Sequence, residues 1–323
     1  MAVTANTNQT YSESIIKEDL SDALTSISPT ECPFMASVGT RDINNTYFEW
    51  AEIDLAAAVN NNSKIEGDSG LGNDAPHNAV RKANYSNIST KVVEVSDTAN
   101  QVSGVADAQT TAKQVAYALA SLKRDMEKMS LNNAAANAGA SGTARVTAGV
   151  PAFLTTNVNR GTGGANGTTS GTGSAGFPNA AATDAASGNM RAITEAMLKS
   201  VVADCWTEGA EPSIVLCGAS QKQTISAFTG NATKFQEVDG KRLTAAVDIY
   251  ISDFGSLEIV PARHVRSRDV LVLDPNYAKI AYLQQATQKE LARTGLSERR
   301  LISAEWGVQV TSEKAHGIIA DVS

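Results

Sequence analysis

The groups in this 323-residue chain that could do chemistry are few, and their spacing works against each of them. Gly67-Asp68-Ser69-Gly70 sets a serine in a glycine-flanked turn, a setting that suits a nucleophilic hydroxyl. Acyl transfer by that hydroxyl needs a His to take its proton and a carboxylate to orient the His. In the chain order that accompanies this motif both lie upstream, yet no His precedes Ser69 and the nearest, His77, follows it. A serine hydrolase using Ser69 is kept as a rival, and a polar loop tip is the preferred reading. Gly161-Thr162-Gly163-Gly164-Ala165-Asn166-Gly167 could cradle a phosphate, but a dinucleotide fingerprint follows a strand and opens a helix. Here Asn166 stands at the third-glycine position and more loop-forming residues follow. Gly240-Lys241-Arg242 fails as a P-loop, because Phe235 stands where the first glycine belongs and Arg242 replaces Ser or Thr. His77, His264 and His316 have no second ligand at metal spacing, and Asp248 and Asp253 read as turn caps. The expectation is no enzyme, no metal and no cofactor.

Composition bounds the class of protein. Hydrophobic residues at 42% and charged residues at 19% suit a globular chain rather than a disordered one. Aromatics are only 5%, so large core anchors are sparse and neighbouring subunits are expected to supply part of the stability. The net charge of −7 argues against tight duplex binding, which needs clustered Lys and Arg. The nearest approach is Arg263-His264-Val265-Arg266-Ser267-Arg268, read as a solvated loop. Cys32, Cys205 and Cys217 are odd in number and lack ligand spacing, which points to synthesis in a reducing cytoplasm. With no apolar run of membrane length and no signal pattern at the polar N-terminus, a soluble intracellular product is expected.

The elements that would position these residues follow from periodicity. Ile16, Leu20, Leu24 and Ile27 mark one face of a short helix that Ser28-Pro29 ends. One aliphatic stripe cannot form its own core, so this is an arm that lies on another surface. Residues 46–53 and 88–95 alternate as strands, with Phe48 and Trp50 on one face, and are expected to make a long hairpin around a polar, Asn- and Gly-rich tip. From Val102 to Met129 residues step by three or four along one face, and with Ser103 as candidate N-cap and Gly139 as candidate stop about 35 residues would make a rod of roughly 50 Å. Residues 157–188 read as a flexible surface loop. A helix at 190–206, a buried strand at 213–218 and a helix through Ile225 and Phe228 form an α/β unit. Strand-like runs follow at 246–251, 257–260, 270–273, 278–283 and 302–310.

Three motifs carry a resemblance. Lys17-Glu18-Asp19-Leu20-Ser21-Asp22, then Ser28-Pro29-Thr30-Glu31-Cys32-Pro33-Phe34, then a polar stretch leading to Phe48-Glu49-Trp50, resemble the N-terminus of a family of tailed-bacteriophage major capsid proteins. The similarity is dense in the N-terminal third and looser, as an order of elements, beyond it. It implies an α+β, Hong Kong 97-type phage capsid fold with N-terminal arm, E-loop hairpin, long spine helix, P-domain and A-domain. On that pattern residues 1–43 are the arm, 44–100 the E-loop hairpin, and 101–156 the spine helix and start of the P-domain. Residues 157–188 are the flexible loop, 189–295 the A-domain and 296–323 the returning P-domain strands. The implied partners are further copies of the chain in hexamers and pentamers, with scaffold, decoration and portal proteins as candidates. Double-stranded DNA would be packaged without sequence-specific binding, and no membrane is involved. The implied location is the virion, after synthesis in the host cytoplasm. Ile16, Leu20, Leu24, Ile27, Phe34, Phe48 and Trp50 are the candidate intersubunit contacts. A bacterial nanocompartment shell protein of the same fold is the alternative.

Overall fold

The computed structural model describes residues 31–56, 58–67, 69, 76–102, 110–171, 175–228, 249–293 and 295–323. The expected arm helix through Ile16, Leu20, Leu24 and Ile27 lies outside these residues. Pro33 opens a short helix, α1 (Pro33–Ser37), at the position where its missing N–H costs nothing. Strand β1 (Gly39–Asp42) follows, then β2 (Tyr47–Glu52), in which Phe48 and Trp50 are buried and Glu49 and Ala51 exposed.

The hairpin partner differs from the expected one. Strand β2 pairs with β3 (Val80–Tyr85), in register from Tyr47↔Tyr85 to Glu52↔Val80. Strand β4 (Asn87–Ser96) turns away from both and keeps the expected alternation, Val93 and Val95 inward against Val92 and Glu94 outward. Arg81-Lys82 conceals β3 from a search for apolar alternation, because Lys82 is buried only through its ion pair with Glu52.

After a short helix α2 (Asp97–Gln101), helix α3 (Thr111–Ser130) has 20 residues, a rod of about 30 Å and not the expected 50 Å. Its described start is Thr111, and it stops at Ser130 rather than Gly139. Past its end, Asn133 uses its side-chain amide to bond the backbone of Ala182 in both directions, at 2.7 and 3.0 Å. Gly139 and Gly142 then turn the chain at φ of 75° and 116°. Helix α3 buries Val115, Leu122 and Met126.

The remaining elements are α4 (Val150–Phe153), β5 (Val158–Asn159), β6 (Thr168–Thr169), β7 (Pro178–Ala180), α5 (Glu195–Thr207), β8 (Ile214–Cys217), α6 (Ala219–Ser226), β9 (Ile249–Ser252), β10 (Gly255–Pro261), β11 (Asp269–Leu273), β12 (Ala278–Glu290), β13 (Ser297–Val310) and β14 (Gly317–Ala320). Two larger sheets, in the orders β1-β12-β13-β4 and β5-β14-β11-β8-β10-β9, take most of the strands, while β6 pairs with β7 as β2 does with β3. The α5–β8–α6 order matches the expected α/β unit. The sheets do not divide the chain at 295, since β12 and β13 are neighbours in one sheet while β14 joins the other. One core contains Leu122, Met126 and Trp306; a second joins α5 and α6 to the six-stranded sheet through Leu198, Val202 and Ile225.

Candidate assembly surfaces

The root of the β2–β3 hairpin is locked from within. Phe48 stacks on Trp50 with ring centroids 5.9 Å apart, and Trp50 Nε1 donates to Thr311 O at 3.2 Å. Gly307 makes room for this, since a Cβ there would sit 2.7 Å from Phe48 Cε1. Asn84, fully buried, donates to Val308 O and Thr147 Oγ1 and accepts from Ala148 N. Buried polar groups satisfied in this way cost little and fix one arrangement.

Beyond that root the surface changes character. Every described residue from 53 to 79 is exposed, including Ile53, Leu55, Val59 and Ile65. Lys314 Nζ reaches Asp54 at 3.0 Å and Glu208 at 3.2 Å. Beside it a groove of about 350 Å³ is lined by Leu55, Tyr277, Glu208 and Lys314 among others. A second exposed apolar set, Ile249 and Ile251, lies on β9, the edge strand of the six-stranded sheet. Among the described residues that edge has no partner strand, and such an edge beside exposed aliphatics is a surface suited to another chain.

The start of the described chain is anchored to α3. The Glu127 carboxylate accepts from Phe34 N at 2.8 Å and Met35 N at 2.9 Å, satisfying free N–H groups in the first turn of α1. Burial pushes this carboxyl up, and the two backbone bonds pull it partly back.

The described residues of 157–188 are tied down at several points, contrary to the flexible loop expected. Asp321, at a φ of 61°, accepts from Gly161 N at 3.1 Å and Ala185 N at 2.9 Å and pairs with Arg268 at 2.6 Å. Burial alone would raise the Asp321 carboxyl; the N–H groups of Ala185 and Gly161 and the Arg268 guanidinium outweigh it and hold it below its ordinary value. Arg266 pairs with Asp184 and, at 2.9 Å, with Asp269. Burial pushes Asp269 up to about 6 despite that guanidinium. Arg266 and Arg268 are therefore ion-paired, not the solvated loop expected of the basic run.

The expected contact residues Phe34, Phe48 and Trp50 are 0, 4 and 8% exposed and pack in this chain's own core. An aromatic at an alternating strand position is as well spent inside the subunit as between subunits, and spacing does not tell the two apart. Ile53, Leu55, Val59 and Ile65 were missed as candidates; their signal is isolated apolar residues within a polar stretch. Ser69 and His77 are both exposed. Cys205 and Cys217 are buried, and burial pushes their thiols up to about 12 and about 11. Among the described residues no helix is long and apolar enough to cross a membrane.

The SU10 major capsid protein family matches residues 3–323. The chain belongs to that family. It is a tailed-phage major capsid protein with the Hong Kong 97-type fold, and its family is structural, forming the phage head shell. The major capsid protein of Escherichia phage Phieco32 is 30% identical over 125 residues, which take in 39% of this chain and 35% of that relative's length. The cyanophage A-1(L) capsid asymmetric unit has a similar fold at a TM-score of 0.67 and 13% identity, covering 95% of this chain and 97% of that one. The holo-SrpI encapsulin complex from Synechococcus elongatus PCC 7942 is similar at 0.53 and 11%, covering 100% and 97%.

Proposed function

We propose that copies of this capsid protein close into an icosahedral shell of hexamers and pentamers around double-stranded DNA, held without sequence-specific contacts. The observation that carries this reading is the exposure of every described residue between 53 and 79, four large aliphatics among them, on a root that is fully packed. A loop of that kind gains burial only when another copy covers it. In this reading the loop and its hairpin, within residues 44–100, are the E-loop. Helix α3 is the body of the spine helix, and α5, β8 and α6 belong to the A-domain. Residues 1–43 are the arm, with Ile16, Leu20, Leu24 and Ile27 as its contact stripe. Scaffold, decoration and portal proteins are the further partners, synthesis is in the host cytoplasm and the destination is the virion.

Negative-stain microscopy of the expressed protein tests the assembly, with closed shells expected and only monomers or small oligomers counting against it. Deleting residues 1–30, which spares α1 and its bonds to Glu127, should abolish the shells and leave soluble subunits. Normal shells from that deletion would remove the arm from the account. The likeness to the encapsulin supports a second reading, a nanocompartment around protein cargo. Nucleic acid rather than a protein copurifying with the shells decides between the two.

A further inference from the structure

The fold divides the basic run at residues 263–268. Arg266 and Arg268 turn to Asp184, Asp269 and Asp321. His264 instead lies within electrostatic reach of Arg124 and Lys128 on the second half of α3, with exposed Arg263 beside it in the chain. Burial first, then the Arg124, Lys128 and Arg263 cations, hold the His264 imidazole below its ordinary value.

On α3 the spacing of Lys113, Tyr117, Arg124 and Lys128 puts them in one stripe, on the side away from buried Val115, Leu122 and Met126. Lys113, Tyr117 and Lys128 are exposed and Arg124 half-buried. Two carboxylates of α3 lie close by, and Asp125 also acts on His264, against the cations. Asp125 is held by Lys91 at 2.6 Å, and Glu127 is buried on the N–H groups of Phe34 and Met35. Lys113, Arg124, Lys128 and Arg263 make no ion pair among the described residues, and Arg124 Nε and His264 Nε2 are buried with no hydrogen-bond partner. An acidic chain thus carries three cations without an ion pair along one face of a rigid rod, with Arg263 next to the His264 that they act on.

We propose that this stripe, Lys113, Arg124, Lys128 and Arg263 beside His264, is where the capsid protein meets the phosphate backbone of duplex DNA. The proposal deepens the DNA-enclosing reading above and rests on it. From Lys113 to Lys128 the rod runs about 22 Å, along which a duplex presents one phosphate per ~1.7 Å of axis. Point charges on flexible stems meet phosphates without reading bases. A few such contacts per subunit line the genome without gripping it.

The test is fluorescence anisotropy with a short mixed-sequence duplex and the full-length unassembled chain, from about 50 to about 200 mM NaCl. Each phosphate contact adds roughly 0.9 to the slope of log K against log salt, so Lys128→Gln with Arg263→Gln should lower the slope by about 1.8. Lys64→Gln with Lys289→Gln, which changes net charge equally at exposed positions elsewhere, should leave the slope as in the unaltered chain. Thermal melting checks that both variants fold. Absence of duplex binding by the unaltered chain, an unchanged slope in the stripe variant, or an equal loss in both variants would overturn the proposal. So would a stripe variant that keeps its slope but no longer forms shells, since the stripe would then be a contact between copies. Failure of the shell reading shows separately, as an unaltered chain that gives no shells under the microscope whatever its slope.

Discussion

Residues 53–79 and 157–188 look alike in the sequence: both are long, polar and rich in Gly, Asn, Ser or Thr. In the fold they part company. Every described residue of the first is exposed, whereas the second buries Asn157, Gly161, Gly167, Pro178, Ala182 and Ala185. The difference lies in what receives them. Glu313 accepts from the N–H and hydroxyl groups of Thr155 and Thr156, Asn133 brackets Ala182, and Asp321 holds Gly161 and Ala185. Gly176 exchanges backbone bonds with β3 at 2.7 and 2.8 Å, and Phe177 meets Tyr85 edge-on at 5.1 Å. Beyond its root the first segment has the Asp54–Lys314 pair on its near end. A loop's composition says that its backbone needs polar partners; the rest of the fold decides whether those are protein or water.

The largest effect is expected from turning the second segment into the first. Asp321→Ala leaves two buried N–H groups without their acceptor and takes from the half-buried Arg268 guanidinium its nearest carboxylate, at a position with φ of 61° that Ala tolerates poorly. Breaking a buried pair from one side typically costs ~3–5 kcal/mol, read as a lower urea midpoint of the unassembled subunit. Trypsin should then cut at Arg160 and Arg191. A loss no larger than that of a surface substitution would break the comparison.

Asn133→Ala removes both bonds to Ala182, and leaving those backbone groups unsatisfied should cost ~1–3 kcal/mol. If the urea midpoint stays put, Asn133 is not among the ties.

His316 sharpens the contrast through pH. Its carbonyl accepts from Asn157 at the head of the pinned segment, its Nδ1 accepts from Asp274 N, and burial pushes its pKa down to about 4. The unfolded chain binds more protons between that value and ~6.5, so this contribution is complete above the unfolded pKa and is lost as pH falls toward the folded one. Its slope is at most ~1.4 kcal/mol per pH unit. Asp269, raised to about 6, acts with the opposite sign as pH rises toward that value. Comparing the unaltered subunit with His316→Gln cancels the Asp269 part. The stability advantage of His316 should shrink from pH 6.5 to 4; a constant difference would count against a buried neutral imidazole.

The smallest effect on the subunit is expected at Leu55. Leu55→Ser, at a side chain 82% exposed, should change subunit stability by no more than ~0.5 kcal/mol while lowering shell yield. Proteolysis between Asn60 and His77 should be rapid in free subunits and slow in shells. Equal cleavage in both would show that nothing covers this loop on assembly.

Much of the local structure was legible without coordinates. The alternation of Phe48 and Trp50, the inward Val93 and Val95, the stripe through Leu122 and Met126 and the buried run at 214–217 all follow from side-chain period. Three motifs near the N-terminus were enough to point to the family. Period gives the face of an element but not its partner, which is why β2 was matched with 88–95 instead of β3, hidden behind Lys82, and why Phe34, Phe48 and Trp50 were placed between subunits. Helix α3 stops at Ser130, short of Gly139, and just past its end the Asn133 amide bonds Ala182, 49 positions away. The basic run was a single feature in sequence; folding sent Arg266 and Arg268 to three buried or half-buried aspartates and left Arg263 with the α3 stripe. Neighbouring side chains alone set which face of an element is apolar, so the sequence determined that directly. Which polar group meets which, and which charge is left free, depends on residues brought together from far along the chain, and only the tertiary structure decided it.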